Sequence, residues 1–121
     1  MASERRIERL NKVIARVVAE ILQREFFFGA DIMVTVTKVD TYSNMSEADV
    51  YFTVLPEKNN QEADEFLQKH VFEIQQFLNK SLPIRPVPKL VFKVDRGQEL
   101  AERVYDLLGK VKHSTKKRRS K

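Results

Sequence analysis

Over residues 4–25 the apolar side chains recur at helical spacing. At about 100° per residue, Ile7, Leu10, Ile14, Val17, Val18 and Ile21 fall in one sector. Ser3, just ahead of the run, can cap its start. The opposite side carries Arg5, Arg9, Lys12 and Arg16, spaced four, three and four apart, so one helix face is apolar and the other is a basic stripe. The most apolar stretch, Val13 to Leu22, is interrupted by Arg16 and Glu20. No other run approaches the roughly 20 apolar residues of a membrane span, so neither a signal peptide nor a membrane helix is read.

The pattern then changes. Phe26, Phe27 and Phe28 read as a plug for the end of the core, and Gly29 as a left-handed stop for the helix. Residues 32–39 and 47–55 alternate, with Ile32, Val34 and Val36 on one side of the first and Ala48, Val50, Phe52 and Val54 on one side of the second. The turn formers between them, Asp40 to Ser46, make the pair an antiparallel hairpin. Asn59 and Glu62 have the spacing of a capping box that opens a second helix, whose apolar side holds Ala63, Leu67, His70, Ile74, Phe77 and Leu78. Pro83 ends it, because the residue before a proline is pushed out of helical geometry. Pro86 and Pro88 keep the chain extended until Leu90, Phe92 and Val94 alternate in a third strand. A last helix over about 98–108 aligns Leu100, Val104, Leu107 and Leu108, with Val111 continuing the line. The expected architecture is α+β in the order α-β-β-α-β-α, a three-stranded sheet with helices packed on it. Residues 1–111 form one domain, and residues 112–121 are a disordered basic tail.

Length and charge fit that reading. At 121 residues the chain suits one core and short ends, and 42% hydrophobic against 32% charged residues describe a soluble domain. Residues 110–121 hold seven Lys or Arg and no acid, while the rest carries fifteen cations against seventeen acids. A mildly acidic body with a basic arm is suited to a polyanion. The cations of that arm considered for nucleic-acid contact are Lys110, Lys112, Lys116, Lys117, Arg118 and Arg119, together with the helix stripe. Phosphate contacts of this kind give affinity and orientation without reading base sequence.

Catalysis finds no support in the side chains. There is no cysteine, which excludes disulfides, thiolate zinc sites and cysteine nucleophiles, and a reducing cytoplasm fits that composition. His70 and His113 stand far apart, and Gly29, Gly97 and Gly109 are too scattered for a phosphate-cradling loop. The reading is of a binding protein that needs no cofactor and no metal.

Three segments resemble the ribosome-binding factor A family. The first helix ends in an Ile-Leu-x-x-Glu turn at Ile21 to Glu25, and the hairpin runs Val34 to Val39 and Ala48 to Leu55. The most specific segment, Ile84 to Asp95, matches Leu-Arg-x-x-Pro-x-Leu-x-Phe-x-x-Asp with Ile84 in the place of the leucine. The resemblance implies a type II KH-like domain. Standard KH domains clamp a single strand with a Gly-x-x-Gly loop, and no two glycines here stand three apart. Relatives carry an Ala-x-Gly helix kink instead, which aligns with His70-Val71-Phe72.

The resemblance further implies a monomeric cytoplasmic factor associated with growth in the cold. Such a factor binds the free small (30S) ribosomal subunit and its 16S rRNA, assists late maturation and end processing, and is displaced by a GTPase or another factor. It also makes Arg85, the signature arginine, a candidate RNA contact. Two other readings stand beside it: a KH-like module for non-ribosomal RNA or single-stranded DNA, and a protein adaptor whose basic stripe docks an acidic partner.

Overall fold

The computed structural model describes residues 3–96. They run α1 (Glu4–Glu25), β1 (Met33–Thr41), β2 (Glu47–Leu55), a short 3-10 turn (Glu57–Asn59), α2 (Asn60–Ser81) and β3 (Lys89–Val94). The expected last helix, the domain boundary near residue 111 and the basic tail lie outside the described residues.

Ser3 caps α1 as its position suggests, its hydroxyl accepting the Arg6 N–H at 3.2 Å. Ile14, Val17, Val18, Ile21 and Leu22 are buried, all in the second half of the helix, whereas Ile7, Leu10 and Val13 are only partly covered. The expected glycine stop is corrected: α1 ends at Glu25 and Phe26 takes extended backbone. Gly29 has a φ of 135° but lies further on, in the connection to β1. The extended Phe26 sends its ring inward, edge-on to Phe66 and Phe77 at 6.1 and 6.3 Å. Phe28 packs on Phe66 at 4.7 Å, and Phe27, between them, is 75% exposed. Two of the three phenylalanines therefore plug the core.

β1 and β2 pair antiparallel, and β3 joins β2 in parallel, giving the order β1-β2-β3. A parallel pair needs a long crossover, which α2 supplies. The first strand runs further than its alternation indicates, to Thr41, because the register shifts between Val36 and Lys38. This bulge changes the phase, so Val34 and Val36 face the helices before it, and Val39 and Thr41 after it. The core between sheet and helices holds Val50, Phe52, Leu90 and Phe92 from the strands, with Ile14, Ile21, Leu67, Ile74 and Leu78 from the helices. Each such side chain contributes about 1.5–3 kcal/mol by leaving water.

α2 runs unbroken through His70-Val71-Phe72. Its N-terminal boundary is where the sequence places it, but Asn59 and Glu62 do not form a reciprocal box. The Asn59 amide Nδ2 donates to the Glu62 carboxylate at 2.9 Å, with no side-chain bond to a helix N–H, because the 3-10 turn already leads the backbone into the helix. Leu82, ahead of Pro83, is extended and ends the helix.

Candidate nucleic-acid interface

Arg5, Arg9, Lys12 and Arg16 lie along the solvent side of α1. Arg16 is partly committed, with Nη1 3.6 Å from Glu20. Arg5, Arg9 and Lys12 form no ion pair with any described carboxylate. The free positive charge of the stripe therefore concentrates in the N-terminal half of the helix. There Asn11 turns the other way: its Oδ1 accepts the backbone N–H of Thr41 at 2.9 Å, joining α1 to the edge of β1.

The structure brings a second basic element to the same end of the sheet. Thr41 lies at the hairpin end of β1. Across the turn Lys89 donates its backbone N–H to Ser46 O at 3.1 Å as β3 begins. Arg85, in the loop leading to β3, is exposed, and its Nη1 donates to Leu82 O at 2.9 Å and Ile84 O at 2.6 Å. Neither partner is a carboxylate, so among the described residues the guanidinium keeps its charge unneutralised while its position is fixed. With Lys89, Asn79, Gln75, Pro86 and Val87, Arg85 lines an open cleft beside α2. The sequence reading missed Lys89 and Asn79. They lie on different elements, and the only local signal was Lys89 closing the Pro86-Val87-Pro88 run.

His70 packs against Phe66 at 4.4 Å and Phe26 at 5.4 Å, with Nδ1 2.7 Å from Glu73 Oε1, a structural setting. Among the described residues no three His, Cys, Asp or Glu side chains are grouped to hold a metal ion, and no helix is long and apolar enough to cross a membrane. Lys110, Lys112, Lys116, Lys117, Arg118 and Arg119 lie outside the described residues.

What this arrangement offers is a helix-borne row of cations and a fixed arginine at one end of a small mixed sheet. Against known families, residues 6–108 match the model of ribosome-binding factor A. The chain belongs to the ribosome-binding factor A family. A curated member from Bdellovibrio bacteriovorus is 36% identical over 109 residues, covering 89% of this chain and 81% of that protein. A solution NMR structure of a Thermotoga maritima protein, described as a putative ribosome binding factor A, is 29% identical. It superposes with a TM-score of 0.65 over 82% of this chain and 95% of that one. A Thermus thermophilus ribosome binding factor A, fitted as a homology model into the cryo-EM map of a 30S complex, gives a TM-score of 0.60. That match has 21% identity over 72% of this chain and 92% of that one, a likeness of fold. The type II KH-like assignment of the ribosome-binding factor A family thus agrees with the α-β-β-α-β order of the described residues.

Proposed function

We infer that the protein is an assembly factor that binds the free small ribosomal subunit through 16S rRNA and assists its late maturation and rRNA processing. The observation that carries this reading is the stripe of Arg5, Arg9 and Lys12, on the solvent side of a helix whose second half is buried in the core, and without carboxylate partners among the described residues. Fixed cations can match one arrangement of phosphates, which a flexible arm cannot do without ordering. Arg16 extends the stripe, and Arg85, at the same end of the sheet, adds a contact of fixed geometry. Lys110, Lys112, Lys116, Lys117, Arg118 and Arg119 add general attraction for the polyanion. Family membership and the Thermus thermophilus relative's 30S complex support the choice of target.

The protein works by binding. Stabilising one rRNA conformation over its alternatives shifts a folding equilibrium without making or breaking bonds. It acts in the cytoplasm as a monomer, and a GTPase or another factor displaces it from the subunit. Sedimentation of cell extract through a sucrose gradient tests the reading. Co-migration with free small subunits is the expected result. Recovery at the top of the gradient, with the subunits intact, overturns it in favour of a module for other RNA or single-stranded DNA.

A further inference from the structure

The half of α1 that carries the free cations is the half the core holds least. Every fully buried residue of the helix lies at or after Ile14, and Ile7, Leu10 and Val13 are only partly covered. Arg5, Arg9 and Lys12 therefore ride on turns that apolar burial alone anchors weakly, and helix ends with few buried contacts open locally at little cost. In this stretch one side chain forms a tertiary hydrogen bond within the described residues. Asn11 Oδ1 accepts the Thr41 N–H at 2.9 Å, at a part-buried site. The Thr41 N–H faces the open edge of β1, since its neighbour Tyr42 gives its own N–H to Glu47 O across the hairpin. The bond therefore also satisfies a donor that no strand reaches.

We propose that Asn11 is a positioning residue for nucleic-acid docking: by gripping the Thr41 N–H it fixes the rotation and order of the first turns of α1, and so the spacing of Arg5, Arg9 and Lys12. Asn11 itself touches no ligand. It sits between Leu10, which packs against the core, and Lys12, which faces solvent, so its side chain points at the sheet edge while Lys12 presents charge. Any rotation of α1 that brought Lys12 towards the sheet would break the bond. The inference rests on the reading of the stripe as the docking surface.

The test uses the full chain, purified small subunits and three variants. Asn11→Ala is expected to speed amide exchange over residues 6–12 relative to residues 17–22. It should weaken subunit binding about 2- to 13-fold, the equivalent of one net hydrogen bond. It should also flatten the slope of log affinity against log salt by roughly 0.7–1.8, as one or two phosphates are no longer neutralised. Asn11→Asp keeps the acceptor and should keep those amides protected. Ile74→Val, a core control, should lower the melting temperature with the salt slope unchanged. Asn11→Ala with protected amides, or with an unchanged slope, overturns the proposal. Arg9→Glu with Lys12→Glu checks the underlying reading separately: binding untouched by that pair would overturn the stripe and the pin together, while binding abolished there but intact in Asn11→Ala would overturn the pin alone.

Discussion

Gln75 closes the open edge of β3 at Leu90: its Oε1 accepts the Leu90 N–H at 2.8 Å, while its Nε2 donates to Pro88 O at 3.1 Å. One carboxamide thus takes the donor and acceptor that another strand would use. Gln68 Nε2 continues the cover by donating to Phe92 O at 3.2 Å. Exposed strand edges invite pairing with other chains, and here two side chains of α2 occupy this one. Gln75→Ala should cost about 1–3 kcal/mol in urea melts, because the N–H of buried Leu90 loses its partner. It should also promote self-association in sedimentation velocity. A monomeric variant of unchanged stability would show that water replaces the amide without loss.

Phe92 is buried against Phe52, with rings 6.3 Å apart, whereas Phe72 on the outer face of α2 is 71% exposed. Phe92→Ala is expected to cost about 3–5 kcal/mol by leaving a cavity, and Phe72→Ala to stay within about 0.5 kcal/mol. Denaturant melts of the two variants check the placement of β3 directly. A destabilisation under about 1 kcal/mol for Phe92→Ala would contradict its position in the core.

Lys93 Nζ donates to Asp49 Oδ2 at 3.1 Å, linking β3 to β2 on the sheet face away from the helices. Burial works against the Lys93 ammonium, but the hydrogen bond and charge of Asp49 outweigh it, with help from Tyr51 and Tyr42, and its pKa lies above the ordinary 10.5. The Asp49 carboxylate, followed by burial and Glu47, likewise pushes the Tyr42 phenol above its ordinary 10.0, against the opposing pull of Lys93. Both shifts favour the protonated group in the fold. The Lys93 contribution is therefore complete below the unfolded value and is lost as pH rises through the folded one, and the reluctance of Tyr42 to ionise removes stability above about pH 10. Urea midpoints should fall over that range, less steeply in Lys93→Met. Parallel profiles for the wild type and Lys93→Met would show that the pair contributes nothing.

Arg85 is held by the carbonyls of Leu82 and Ile84 and remains exposed. Arg85→Ala should weaken binding to small subunits severalfold while the melting temperature stays nearly unchanged. Arg85→Lys should not restore the affinity, since an ammonium lacks the planar fork that bonds the loop and still presents free N–H groups. Full affinity in Arg85→Ala would leave the residue with a loop-ordering role only.

Two basic surfaces invite a comparison of specificity with general attraction. Deleting residues 112–121 should flatten the salt dependence of binding, by roughly 0.7–0.9 for each phosphate the tail neutralises, while preference for small subunits over unrelated RNA persists. Arg9→Glu with Lys12→Glu should abolish that preference with circular dichroism unchanged. The reverse pattern would mean that the tail, and not α1, recognises the subunit.

Much of this was legible along the chain. The periods of 3.6 and 2 place both helices and all three strands of the described residues, since each reports an element's own apolar face. Ser3 and Pro83 mark helix ends because caps and prolines act on their nearest neighbours. The basic stripe was legible for the same reason: four residues on one helix share a face whatever the rest of the chain does.

Other features depend on tertiary relationships that no local pattern encodes. The bulge after Val36 reverses the inward phase of β1, making Val39 and Thr41 core residues where simple alternation points to the other set. Glycine was the readable stop for α1, yet Phe26 ends the helix because its ring is drawn towards Phe66 and Phe77, on another element. Asn11 meets Thr41 thirty residues away, and Gln75 meets Leu90 fifteen residues away. Sequence determined which faces are apolar and which are charged, because those are properties of single elements. Only the tertiary structure decided which polar groups close the sheet edges and which cations share one end of it, because those relationships exist once α1 has packed on β1 and the crossover through α2 has laid β3 beside β2.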